Sequence, residues 1–545
     1  MNLIKKKYLF LLSIASGLLL TFGWPANGFP LFLFIGFVPI LIIEDVIFHH
    51  KKEFHRFSFF LYAFIAMIIW NSLTTYWIYY STAAGVILAI LLNSLFMSVT
   101  LSLFHYTRKT IKHHSSYLSF IVFWLAFEFI HLDWDLTWSW LNLGNGFANY
   151  PAWVQWYEYT GSLGGTLWVL MTNLLIFKAI RMFVLKEKTK RYRILFAAFC
   201  ADLILVPILI SLLVYYQYED KGMSLKTIIV QPNIDPYNEK FDDLTSEEQI
   251  EKILTLGKLK IDNQPNLIVC PETAIPEGIF ENNLNYSKSI ERINLFIKEN
   301  PSLSILIGAS TYKRFERGEV KSATARESFD GDFWYDAYNS ALFVDSTKNI
   351  QIYHKSKLVP GVEKMPFSKQ LKFLEKYALD LGGIVGSLGI QNDRSVFTSN
   401  DGKIKAAPVI CYESIYGEFV SKYVRNGANV ICIITNDGWW ENTAGYKQHF
   451  EYARLRAIEN RKSIIQSANT GISGFINQRG DVIQKTSWWK EEVLTNNVFL
   501  NDQKTIYVRY GDYIARTSYY ISLVFILFTI FLSIKNSVKS RGSEK

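Results

Sequence analysis

Residues 406–413 read Ala406-Ala407-Pro408-Val409-Ile410-Cys411-Tyr412-Glu413. A short apolar run, the length of a buried strand, ends directly on a thiol and a carboxylate. Two other runs end the same way. Leu267-Ile268-Val269-Cys270-Pro271 delivers Glu272, and Val430 to Thr435 delivers Asn436-Asp437-Gly438-Trp439. A fourth segment, Ile352-Tyr353-His354-Lys355-Ser356-Lys357-Leu358-Val359-Pro360, brings lysines to a turn that ends at Glu363. Amphipathic stretches such as Ser246 to Ile261 alternate with these runs, which predicts an α/β domain from about residue 217 to 510. In such folds ligands bind beyond the carboxyl ends of strands, where these reactive groups fall.

Upstream the pattern changes. Seven long apolar runs fill residues 1–216, near 8–23, 28–46, 57–79, 84–105, 117–132, 158–178 and 194–216, and an eighth lies near 519–534. Each approaches the ~20 residues that a bilayer requires, so an α-helical membrane bundle of eight transmembrane helices is expected beside the α/β domain. The remaining residues, 511–545, then form the last membrane helix and a basic tail.

Composition agrees with this division: of 545 residues, 50% are hydrophobic and 19% charged, which excludes an ordinary soluble or disordered chain. Basic residues fall on alternate loops: Lys5 to Lys7, Lys51 to Arg56, Arg108 to Lys112, Lys178 to Arg193 and Lys535 to Lys545. By the positive-inside rule these loops and both termini are cytoplasmic, and residues 217–510 lie outside. The basic loops carry a net +17 of the chain's +9, leaving −8 elsewhere, so the outer domain is no nucleic-acid binder. Trp134, Trp138, Trp140, Trp153 and Trp156 in the 132–157 loop suit an interfacial belt. Glu128, costly in hydrocarbon, must face the bundle interior or a polar cavity.

Four cysteines, Cys200, Cys270, Cys411 and Cys432, are too few for a disulfide framework and lack metal-ligand spacing. No metal or cofactor is expected. Cys411 at a strand end is a candidate nucleophile, since the helix start that follows favours the thiolate. Glu272 could take its proton, and Lys355 could place a fixed positive charge on a tetrahedral intermediate. Singly these are weak signals, because a strand-end cysteine is more often a core thiol. Jointly, and in order, they are not.

The order Pro-Glu-Thr-Ala, Tyr-x-Lys-x-x-Leu-Val-Pro and Cys-Tyr-Glu resembles the nitrilase superfamily of carbon-nitrogen hydrolases. The membrane runs narrow the resemblance to the apolipoprotein N-acyltransferase family. Gly161 to Leu175, Val230 to Ile234, Asn436 to Trp439 and Ala453 to Ala457 also have counterparts there. The resemblance implies a nitrilase-like αββα sandwich on a membrane helix bundle. It implies an enzyme that moves an acyl chain from a phospholipid, through a Cys thioester, to the α-amino group of a diacylglyceryl-cysteine at a lipoprotein's N-terminus. Glu272 would be the general base, Lys355 the oxyanion stabiliser and Cys411 the nucleophile. Glu363 and Glu413 match supporting carboxylates, with Tyr412, Phe241 and Trp439 as further supporting or substrate-binding positions. Pro360-Gly361-Val362-Glu363 departs from the usual Pro-Phe-Gly-Glu, Phe241 replaces a tryptophan, and Trp439-Trp440-Glu441 replaces Trp-Phe-Gly. The expected setting is a bacterial cytoplasmic (inner) membrane, as a monomer, with the catalytic domain on the periplasmic side. The competing reading is a membrane-tethered amidase with the same three residues and water as acceptor. A receptor or transporter would have no reason to keep all three. A papain-like Cys-His pair would need one of His131, His354 and His449, and His354 should point away from Lys355 if its segment is a strand.

Overall fold

The computed structural model describes residues 6–236, 239, 244–261, 267–367 and 387–542. It divides into two compact units, one of Met1–Tyr79, Ala83–Tyr216 and Asp512–Lys545 and the other of Tyr80–Thr82 and Gln217–Gly511.

The first unit is helical. Among the described residues, six helices are long and apolar enough to cross a membrane: Pro30–His49, Ser58–Tyr80, Ala83–Ile111, Ser162–Val184, Lys190–Gln217 and Tyr513–Lys539. The other two expected spans also form helices, but shorter ones. Lys6–Phe22 has 17 residues, about 25 Å at ~1.5 Å per residue against a hydrocarbon core of ~30 Å. The second, His114–Ile130, begins with a 3₁₀ turn before its α-helical part, Leu118–Ile130. Runs counted by hydropathy include the turn residues at their ends, and this makes short helices look longer.

Glu128 is solvated by protein. Its carboxylate accepts from Trp124 Nε1 at 2.9 Å, Leu143 N at 2.9 Å and Thr166 Oγ1 at 2.7 Å, tying two helices to the 132–157 loop. That loop is no simple belt either. Trp140 is buried at 1% exposure and packs 4.8 Å from Trp77, while Trp134 donates to His131. Trp140 serves packing, within a buried stretch at 139–148, whereas Trp134, Trp138, Trp153 and Trp156 are half-buried.

The second unit contains two sheets. In spatial order the first runs Glu492–Leu500, Met223–Gln231, Leu267–Val269, Ser304–Arg314, Trp334–Val344 and Arg326–Glu327. Ile275–Phe280 also pairs with Ser304–Arg314, and Gln351–His354 with Trp334–Val344. The second sheet runs Val482–Lys485, Gly474–Ile476, Ile464–Ala468, Val430–Thr435, Lys405–Ile410 and Phe397–Thr398. The central strands of each sheet are parallel, as expected for strands buried on both faces and therefore continuously apolar. Ile228, Val230, Ile268, Ile305 and Ile307 pack into one core with Ile250 and Ile253 of helix Ser246–Lys258 and Ile290 and Ile293 of helix Lys288–Glu299. Alternation sends Gln231 to the opposite face, where its side chain accepts from Ser473 and Thr486 near the second sheet. Helix Gly417–Arg425 is amphipathic and buries Phe419, Val420, Tyr423 and Val424.

Candidate functional site

Strand register brings the chemistry together. Ile410 pairs with Ile434 across two parallel strands, so Cys411 and the Thr435–Asp437 segment leave the sheet at the same edge. In the other sheet Val269 pairs with Leu306, and the chain beyond it passes Gly308 so closely that a Cβ there would lie 2.6 Å from Glu272 Cα. Only glycine allows Glu272 this path. Antiparallel pairing of Ser340 with His354 sets Asn339 beside Lys355, whose N–H donates to the Asn339 carbonyl at 2.8 Å.

At the centre lies a buried charge cluster. Lys355 Nζ donates to Glu272 Oε1 at 3.0 Å and to Glu363 Oε1 at 2.8 Å. Asn339 Nδ2 donates to the same two carboxylate oxygens at 2.7 and 3.2 Å, and Val359 N–H donates to Glu363 Oε2 at 2.9 Å. Lys355 is 1% exposed, Glu272 6% and Cys411 9%. Burial opposes the Lys355 charge, but Glu272, Glu363 and Cys411 outweigh it and hold the ammonium well above its ordinary value. The Cys411 thiol is pushed well up, by burial first and then by the Glu272 and Asp437 charges, with Lys355 and a Thr435 hydrogen bond opposing. A resting neutral thiol beside an anionic base is therefore favoured, and deprotonation must be coupled to attack.

Cys411 has φ +48°, a left-handed backbone that non-glycine residues seldom hold, and it heads a 3₁₀ turn over Cys411–Ile415. Glu413 braces that turn from behind. It accepts from Ile410 N at 2.8 Å, Ser356 N at 2.7 Å and the Tyr353 hydroxyl at 2.7 Å, tying the cysteine segment to the lysine segment. Glu413 thus stands apart from the Glu272–Lys355–Glu363 cluster. Tyr412 is buried with its ring edge-on to Tyr416 at 5.3 Å, and Trp439 is half-buried on the turn Asp437–Trp440. Phe241 lies outside the described residues. His354 turns away from the cluster, stacks on Tyr338 at 3.9 Å and meets Glu281 at 2.6 Å. Sequence reading missed Asn339, which sits mid-strand with no motif around it. Among the described residues no group of three or more His, Cys, Asp or Glu could hold a metal ion.

The comparisons with known proteins cover both units. Residues 229–506 match the carbon-nitrogen hydrolase family model, and residues 16–175 match the model of the apolipoprotein N-acyltransferase N-terminal domain. An apolipoprotein N-acyltransferase of Chlorobaculum tepidum is 32% identical over 92% of this chain and 93% of its own. One of Geobacter metallireducens is 26% identical over 93% and 92% respectively. Among solved structures, Saccharomyces cerevisiae Nit3 of the nitrilase superfamily aligns with a TM-score of 0.34 at 13% identity, over 52% of this chain and 93% of that one.

Proposed function

This chain belongs to the apolipoprotein N-acyltransferase family, and on that premise we propose that it transfers a phospholipid acyl chain through a Cys411 thioester to the α-amino group of a diacylglyceryl-cysteine. The observation that carries the mechanism is the buried Glu272–Lys355 pair within electrostatic reach of the Cys411 thiol.

Glu272 takes the thiol proton as sulfur attacks the donor ester, and Lys355 meets the negative oxygen of the tetrahedral intermediate. Collapse breaks the ester C–O bond, Glu272 returns the proton to the leaving alkoxide, and the acyl group remains on sulfur. The acceptor amine then attacks the thioester carbonyl and forms an amide. Its proton passes through Glu272 to the departing thiolate, which restores the resting enzyme. Glu363 and Asn339 hold Lys355 and Glu272 in place. Tyr412, Trp439 and Phe241 are assigned to supporting or substrate-binding roles.

Both substrates are lipids, which accounts for membrane helices in an acyltransferase. We assign residues 1–216 and 511–545 to the membrane part and 217–510 to the extracytoplasmic catalytic domain of a monomeric protein with both termini cytoplasmic. The basic loops share one side only if Lys6–Phe22 and His114–Ile130 also cross, and this supports eight crossings. The decisive experiment incubates purified protein with phospholipid and a diacylated lipopeptide. A triacylated product is expected, and release of free fatty acid with unchanged lipopeptide would instead indicate a hydrolase.

A further inference from the structure

A second buried charged pair lies beside the cysteine and takes no part in the mechanism above. His449, on helix Ala444–Asn460, is 1% exposed, with Nδ1 3.0 and 3.1 Å from the two Asp437 carboxylate oxygens. Its Nε2 is 3.1 Å from the Cys411 carbonyl and 2.8 Å from Ser414 Oγ. Ser414 Oγ lies 2.8 Å from that carbonyl as well, and its one proton can serve the carbonyl or the ring but not both. The Asp437 carboxylate at Nδ1 and the Cys411 carbonyl at Nε2 can only accept. A neutral imidazole carries one N–H and would leave one side facing a lone pair, whereas the imidazolium satisfies both.

We propose that His449 is a positioning residue for the nucleophile: a permanently doubly protonated clamp, anchored on Asp437, that holds the Cys411 carbonyl and so aims the thiol. This rests on the reading of Cys411 as nucleophile. Ile410 is the last residue of its strand, and Cys411 beyond it must keep a left-handed backbone without the ladder's support. Two hydrogen bonds on the Cys411 carbonyl, from His449 and Ser414, fix the following peptide plane.

Among the described residues, the charges around the ring come from its neighbouring turns, its own helix and Glu272. The turn Asp437–Trp440 supplies Asp437, which also accepts from Thr435 Oγ1, and the edge of the Trp440 ring. The turn Cys411–Ile415 supplies the thiol and Glu413, the latter turned to Ile410 N and Ser356 N. On the same helix as His449, Arg456 is engaged with Glu459 and the Ile415 carbonyl. Glu272 acts from its own strand end. Burial works against a charged ring, but the Asp437 carboxylate, its hydrogen bond and the Cys411 carbonyl hold the imidazole above its ordinary value.

The test uses the full-length enzyme in detergent, with kcat and KM for acyl transfer from phospholipid to a diacylated lipopeptide measured from pH 6 to 8.5. Asp437→Asn removes the charge that keeps the ring protonated. As pH rises, His449 in that variant loses a proton and with it one hydrogen bond. Its kcat relative to wild type should fall at least about tenfold across the range with KM unchanged, while Asp437→Glu should keep the wild-type profile. A ratio constant with pH would overturn the clamp. Should Asp437→Asn not fold, His449→Gln decides: kcat reduced at least about tenfold supports the clamp, and wild-type kcat overturns it. Activity in Cys411→Ala would sink the nucleophile reading itself. An inactive Cys411→Ala with a pH-independent Asp437→Asn ratio would sink only the clamp.

Discussion

Lys355 Nζ lies 3.0 Å from Glu272 Oε1 with both side chains almost wholly out of water, and the same ammonium donates to Glu363. One cation thus pairs with two carboxylates. Replacing Lys355 by Met leaves both uncompensated, and breaking a buried pair this way costs about 3–5 kcal/mol. It also removes the proposed oxyanion contact, worth ~10²- to 10³-fold in rate. The Lys355→Met variant should therefore unfold at lower temperature and be slow. Adding Glu272→Gln should recover stability but not activity. Recovery of both, measured by thermal unfolding and acyl transfer, would show that the lysine acts only structurally.

The three buried cysteines of the catalytic unit should separate cleanly. Cys411→Ala should abolish acyl transfer in a folded protein. Cys270 and Cys432 lie in apolar strand surroundings, and burial is what raises their thiols. Their alanine variants should lose up to a few kcal/mol of stability and retain turnover. A folded but inactive Cys270→Ala, with an active Cys411→Ala, would move the nucleophile.

Much of this site is legible in the chain because strand ends announce it. Glu272, Lys355 and Cys411 each lie just beyond a strand end, Glu272 and Cys411 after apolar parallel strands and Lys355 after the antiparallel strand Gln351–His354. Asn339 was not legible. It sits inside Trp334–Val344 and reaches the carboxylates only because antiparallel pairing sets it against the lysine segment, a register that no local pattern encodes. His449 follows Cys411 by most of a strand–helix unit, and only the tertiary packing of its helix returns it to the cysteine. Trp140 misled for a related reason: aromatic composition suits both an interface and a core, and burial depends on partners such as Trp77.

Asn339 itself gives a prediction. Its amide bridges the two carboxylate oxygens that Lys355 also holds, so Asn339→Ala should loosen the base without removing any charge. We expect kcat about tenfold lower with KM for the lipopeptide little changed, whereas a pure KM effect would make Asn339 a substrate contact.

Lys462 provides a pH test of stability. It is fully buried, donates to the Gln503 and Asn460 carbonyls, and is pulled down to about 7 by burial, with nearby Lys504 adding and Asp502 opposing. An unfolded lysine keeps its proton to ~10.4. Between these values the folded chain binds fewer protons than the unfolded one, so this group's contribution to stability rises with pH, by at most ~1.4 kcal/mol per unit. Below pH 7 both states are protonated and the contribution is flat. Thermal unfolding of wild type and Lys462→Met from pH 6 to 9 should therefore diverge in favour of wild type above about pH 7. Parallel curves would show that the lysine is hydrated.

The covalent intermediate is the strictest test of the mechanism. If Cys411 carries the acyl group between two separate lipids, phospholipid alone should add one acyl mass to the enzyme, on the peptide that contains Cys411, and hydroxylamine should remove it. Glu272→Gln should block this first step, because the thiol, raised by burial and by neighbouring negative charge, would lose the carboxylate whose charge acts on it most strongly. Lys355→Met should leave only slow acylation, reduced by ~10²- to 10³-fold. Adding diacylated lipopeptide to isolated acyl-enzyme should discharge it to triacylated product without more phospholipid. Product formed only when both substrates are present, with no acyl-enzyme trapped under either condition, would mean direct transfer in a ternary complex. Cys411 would then lose its covalent role, and the Glu272–Lys355 pair would have to act on the acceptor amine instead.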